Sequence, residues 1–169
     1  MIFEPTSKKK GFTLVEMLVY IAILVSVATG AITFLISLDD LIDNYTVETA
    51  LYRSGANVME HVLVGLREAN QLDSVNTVSL NSLTGALSLN NDGVNTRFVK
   101  VGDELQLTKA GVSQVNMLEG DVIVTGFTIY EYDTGAGTLI RVHLELTGTV
   151  ESITKDINLY GGAIIRGAL

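Results

Sequence analysis

At 169 residues, with 47% hydrophobic and 18% charged side chains, the chain has room for one domain with a real core and one appended element, and none for two ordinary domains. Its net charge of −8 and its one basic cluster, Lys8 to Lys10, exclude a nucleic-acid surface, which needs Lys and Arg spread along the phosphates. The absence of cysteine excludes disulfides, thiolate nucleophiles and zinc-thiolate sites.

Taken in chain order, the first element is KKKGFTLVEMLVY, which opens an apolar run from Phe12 to Leu38 whose only ionisable side chains are Glu16 and Tyr20. As a helix this run covers about 40 Å, more than the ~30 Å hydrocarbon layer of a bilayer. Lys8, Lys9 and Lys10 precede it and Asp39-Asp40 follow it, so the positive-inside rule puts the N-terminus in the cytoplasm and the rest outside. Glu16 is the anomaly, because a carboxylate well inside a spanning helix costs about 2.5–3.5 kcal/mol and marks function.

Three readings fit this segment. A cleaved secretory signal would use Ser26-Val27-Ala28 as its small-residue site, although its apolar stretch is longer than such signals need. An uncleaved single-span anchor is the second. Both leave Glu16 unexplained. The third rests on a resemblance: Gly11-Phe12-Thr13-Leu14-Val15-Glu16 after a short basic leader resembles the N-terminal signature of type IV prepilins and type II secretion pseudopilins. The resemblance implies that a prepilin peptidase cuts between Gly11 and Phe12, that Phe12 is then N-methylated, and that Glu16 helps recruit and register the next subunit. It also implies partners, namely the peptidase, other pilin or pseudopilin subunits and the inner membrane. The filament would serve adhesion, motility, DNA uptake or secretion. The alternative function is a membrane-anchored extracytoplasmic binding domain that never polymerises.

The residues themselves give reasons for these roles. Gly11 has no Cβ to obstruct a protease, and the lysines hold the leader at the cytoplasmic face. Cleavage before Phe12 creates an amine that the precursor lacks, and the amine of an adjacent subunit is a better geometric partner for Glu16 than its own. Glu16 snorkelling to the headgroups is the competing account. The sole proline is Pro5, so the stem lacks the helix-breaking proline of many major pilins, and Gly30 is its one weak point.

Beyond Asp40, Leu41, Tyr45, Tyr52, Ala56, Met59, Leu63 and Leu66 recur at helical spacing, which predicts an amphipathic helix continuing to about Asn70 with these residues on its core face. Strand signals follow. Leu87-Ser88-Leu89 leads into an Asn91-Asp92-Gly93 turn, Arg97–Val101 and Glu104–Leu107 form a hairpin across Gly102-Asp103, and Val122–Glu131 and Leu139–Leu146 are longer strands. A last strand near Lys155–Tyr160 is predicted to end at a Gly161-Gly162 break. The expected fold is α+β: a long N-terminal helix, spanning in its first half and amphipathic in its second, packed on a C-terminal antiparallel sheet, as in pilins. The expected domains are a leader over 1–11, a transmembrane and polymerisation helix over 12–38, and an extracytoplasmic domain over 39–169. Its body is similar to minor pseudopilins of the J type and related minor pilins.

Nothing in the sequence points to catalysis. His61 and His143 are expected at the surface, outside any metal-spaced cluster. No nucleophile elbow or phosphate-binding glycine loop occurs, and Asp133-Thr134-Gly135-Ala136-Gly137 reads as a strand connection, with Asp133 as one possible calcium ligand and the others not evident. No cofactor is expected. The Asn44-Tyr45-Thr46 sequon falls on the predicted helix.

Overall fold

The computed structural model describes residues 11, 13–73, 85–114, 117–133 and 137–165. The element order is α1 (Leu14–Glu68), β1 (Gln71–Leu72), β2 (Ala86–Asn91), β3 (Val94–Val101), β4 (Glu104–Lys109), β5 (Val112–Gln114), β6 (Val122–Asp133), β7 (Thr138–Val150) and β8 (Ile153–Ile165). The chain divides into two compact units, Met1–Ile42 and Asp43–Leu169. The α+β class and the antiparallel pairing expected from the sequence hold. The strands, however, form two sheets rather than one: a five-stranded sheet in the order β1-β2-β3-β4-β5 and a three-stranded sheet in the order β6-β7-β8. Backbone bonds from the Gly85 N–H to the Phe127 carbonyl and from the Val124 N–H to the Asp103 carbonyl, each 2.8 Å, tie them together.

Local chemistry fixes the turns. The β2–β3 turn places Asp92 and Gly93 at φ of 49° and 88°, the left-handed pair that a two-residue hairpin requires. Asn90 Oδ1 accepts the Gly93 N–H at 2.9 Å and holds it. Ala110-Gly111 at the β4–β5 turn repeats the pair, at φ of 52° and 79°, while the β3–β4 turn uses positive φ at Gly102 alone. The helix ends because Asn70 turns its N–H to the Asn90 carbonyl of β2, so the backbone leaves the helix already paired to a strand.

Two expectations are corrected here. The buried face of α1 in the second unit is Val47, Leu51, Ser54, Gly55, Val58, Met59, Val62 and Leu66. Of the stripe predicted from spacing, only Met59 and Leu66 are buried and Leu63 is half-buried, while Leu41, Tyr45, Tyr52 and Ala56 are exposed. The cause is close packing. A Cβ on Gly55 would run into Leu159 Cδ1, and one on Gly148 of β7 would lie 2.9 Å from Leu51 Cγ. The helix therefore approaches the sheet closely where glycine stands on one side or the other, Gly55 on α1 and Gly148 on β7, and its aliphatic residues fill the space around them. Gly161-Gly162 likewise does not break the last strand, which runs through both to Ile165. A Cβ on Gly161 would collide with Met59 Cε and one on Gly162 would lie 2.7 Å from the Ile140 carbonyl oxygen. Glycine in a strand interior marks close approach of another element, and here that element is the helix over Gly161.

The core of this unit is continuous. Leu51, Val58, Val62 and Leu66 of α1 meet Ile140, Val142, Leu144 and Leu146 of β7, Phe127 and Ile129 of β6, and Leu87, Leu89, Phe98 and Leu105 of the other sheet. A register shift between Val124 and Gly126 in β6 keeps Val124 and Phe127 on the same face.

Candidate functional site: the N-terminal segment

Helix α1 begins at Leu14, and the residue before it shows why. Thr13 Oγ1 accepts the Glu16 N–H at 3.2 Å, and the Thr13 carbonyl accepts the Met17 N–H at 3.2 Å. Thr13 is thus the N-cap and Glu16 the third helical residue, the T-x-x-E arrangement of a capping box. A carboxylate in the first turn also faces the positive end of the helix dipole. The sequence carried this signal in Thr13 and Glu16 themselves, and the reading of Glu16 as an anomaly in an apolar run passed over it. Glu16 consequently sits where the helix favours a negative charge before any partner is supplied.

Gly11 is exposed, and a Cβ built on it would meet nothing within 4 Å. Among the described residues nothing demands glycine there. Phe12 and Lys8, Lys9 and Lys10 lie outside the described residues.

From Leu14 to Ile42 the helix presents apolar side chains outward on all sides, among them Leu18, Ile21, Leu24, Val27, Phe34 and Ile36. An apolar surface of this extent must be covered by lipid or by neighbouring helices. Its hydroxyls are prepared for that: Ser26, Thr29, Thr33 and Ser37 donate to the carbonyls of Ala22, Val25, Thr29 and Thr33 at 2.8–3.0 Å. Each polar hydrogen is spent within the helix, which lowers the cost of placing these residues in hydrocarbon.

The residues weighed for chemistry elsewhere do not gather. His61 is exposed on α1, beside a cleft of about 430 Å³ that also holds Glu68 and Lys109. His143 is not on a freely wet face: its ring stacks on Tyr160 at 4.3 Å, its Nε2 lies 2.9 Å from Asn158 Oδ1, and the Arg141 guanidinium covers the same Tyr160 at 5.2 Å. This is a cross-strand cluster that staples β7 to β8. Among the described residues no three His, Asp or Glu side chains meet in a metal-holding group. The calcium expectation at Asp133 depends on a loop whose residues 134–136 lie outside the described set.

Comparison with curated proteins and with solved structures finds no match. Residues 6–32 match the family described as the prokaryotic N-terminal methylation motif. That match spans Gly11, Phe12, Thr13 and Glu16 and the first turns of the apolar helix. Together with the long apolar helix and the antiparallel sheets that follow it, the motif supports a type IV pilin- or pseudopilin-like subunit, processed by a prepilin peptidase and anchored in a membrane.

Proposed function

We propose that this chain is a structural subunit of a type IV pilus or pseudopilus, released from a leader over 1–11 and assembled through a stem over 12–38. The observation that carries the reading is the methylation motif at residues 6–32, continuous with a first half of α1, to Ile42, whose apolar side chains are exposed. The peptidase cuts between Gly11 and Phe12, and Phe12 becomes the N-methylated terminus. Lys8, Lys9 and Lys10 hold the precursor with its N-terminus at the cytoplasmic face of the inner membrane. The open space around Gly11 supports its role as a cleavage residue, because the need for glycine then comes from the enzyme that approaches it. In the filament Glu16 pairs with the amine of the adjacent Phe12, and the domain over 39–169 lies outside the cytoplasm. The role is structural, with no reaction of its own.

Mass spectrometry of membrane-extracted protein from a host with the peptidase is expected to find N-methyl-Phe12 as the first residue, and Gly11→Leu is expected to retain the leader on nearly all copies. Full-length wild-type chains, or chains that begin after Ala28, would remove the basis of this reading.

The division of the chain has its own test. The second unit keeps its core face on α1 without help from the stem, so residues 39–169 alone are expected to be soluble without detergent and to unfold cooperatively on heating. Aggregated or non-cooperative material would place the boundary elsewhere.

A further inference from the structure

Between the last turns of α1 and the faces of β3 and β4 that look toward it lies the cleft of about 430 Å³, a size usual for small-molecule sites. It runs from His61 to Glu68, about 10 Å along the helix. Its floor is apolar, made of the buried Leu89, Phe98 and Leu107, and its rims carry Val64 and Val94, 41% and 40% exposed. Gly65 opens this space. Having no side chain, it lets the helix down until a Cβ there would lie 3.2 Å from Phe98 Cε2, and it leaves the room beside that ring unfilled.

One end of the cleft carries both signs of charge. Strand β3 runs from Asn95, whose partner Asn90 accepts the Asn70 N–H at the end of α1, to Phe98 against Gly65. Thr96 and its partner Lys109 on β4 lie between those points, level with the last turn of the helix and Glu68. Yet Glu68 and Lys109 stay apart. Among the described residues the ion pairs are Arg53 with Glu119, Lys155 with Glu48 and His143 with Glu145, and neither belongs to one. The helix gains nothing from Glu68 either, because its last turn is the negative end of the dipole, where a cation is favoured. Glu68 and the helix end thus both suit a positive group, and Lys109 on the facing strand suits a negative one.

We propose that this cleft binds a free α-amino acid with a large apolar side chain. Its ammonium group sits at Glu68, its carboxylate at Lys109 and Thr96, and its side chain over Phe98 and Leu107. A zwitterion matches both walls at once through charge-assisted hydrogen bonds, whereas a simple anion or cation leaves one wall unmatched. The apolar side chain covers the floor and rims that the empty cleft leaves open. A peptide segment is the poorer occupant, because the two charges of the site lie at one end and a peptide bond removes one of the pair. The site belongs to the second unit, so this inference goes beyond filament assembly and does not depend on it.

The test uses the full chain in phospholipid nanodiscs, titrated calorimetrically with L-phenylalanine and with L-leucine, with empty nanodiscs as the blank. Saturable binding of one molecule per chain is expected for both. Phenylpropanoate lacks the ammonium and phenylethylamine lacks the carboxylate, so each is expected to bind about ten-fold or more weakly than phenylalanine. Glu68→Gln and Lys109→Gln change exposed side chains and are each expected to weaken phenylalanine about ten-fold or more. Each variant is also expected to lose one preference: Glu68→Gln binds phenylpropanoate as well as phenylalanine, and Lys109→Gln does the same for phenylethylamine. Glu60→Gln, on the same helix but outside the cleft, makes the same change in net charge and is expected to bind as wild type. Circular dichroism melts like that of wild type show that the variants are folded. Absence of saturable binding of both amino acids overturns the proposal. Equal binding of phenylalanine and its two analogues to the wild-type chain overturns it as well, since the charges would then play no part, and so does wild-type affinity in both charge variants.

Discussion

Glu16→Gln and Glu16→Ala are expected to lower the fraction of subunit recovered in sheared filaments by about ten-fold or more, while leader removal at Phe12 proceeds as in wild type. The reasoning compares two roles for one carboxylate. If Glu16 pairs with the amine of the neighbouring Phe12, removing its charge strands that amine in an apolar bundle, a loss of about 3–5 kcal/mol per contact. If Glu16 acts only as the third residue of the Thr13 capping box, glutamine serves nearly as well, and alanine costs about 1 kcal/mol of helix-end stability. The two substitutions therefore separate the roles. Equal, severe loss in both identifies charge pairing. Wild-type assembly of the Gln variant with a mild defect in the Ala variant identifies capping, and the stem would then assemble without a charge pair at Glu16. The measurement is the ratio of filament-bound to membrane-bound subunit at matched expression, with partner pilins present and the N-terminus confirmed by mass spectrometry.

The capping geometry bears on what sequence alone revealed. Composition and the Phe12–Leu38 run were enough to identify an apolar stem, because a spanning helix is a property of a long window and tolerates no local rearrangement. Turns were equally legible. Asn91-Asp92-Gly93 and Gly102-Asp103 require left-handed backbone, and glycine supplies it at Gly93 and Gly102. What escaped was close packing. Gly55, Gly148 and Gly161 look like interruptions in a pattern of apolar residues, yet they are where helix and strands approach most nearly. Bulky Tyr45 and Tyr52 look like core and stay outside it. The second sheet was hidden for a related reason: strand signals are local, whereas membership of a sheet is decided by which strands pair, and β5 and β6, though consecutive, do not. At the N-terminus, Thr13 and Glu16 are legible as members of the motif, and their second relation, as N-cap and third helical residue, emerges only once the start of the helix is known. The hydroxyls of Ser26, Thr29, Thr33 and Ser37 escaped similarly, though each is four residues beyond the carbonyl it serves.

The orientation of α1 on the sheets gives the second large effect. Leu51→Ala is expected to destabilise the domain over 39–169 by about 2–5 kcal/mol, whereas Tyr52→Ala, one residue away, is expected to stay within about 0.5 kcal/mol of wild type. Leu51 is fully buried and fits against Gly148, which has no side chain with which to fill the space that alanine would leave. Relaxation is limited on both sides of that gap, because Leu144 and Leu146 of β7 are fixed by strands on either hand, so the site is expected to behave as a cavity rather than to collapse. Tyr52 is 56% exposed, and its truncation removes surface much of which the folded domain leaves open. Urea denaturation of the two variants beside wild type measures the contrast, with similar slopes for all three indicating that the folded state is retained. The stripe assigned by spacing makes the reverse prediction, a large loss at Tyr52 and a small one at Leu51. A domain of this size is stable by only about 5–15 kcal/mol, so the loss at Leu51 would be plain in the midpoint, and it would fix which side of α1 faces the sheets.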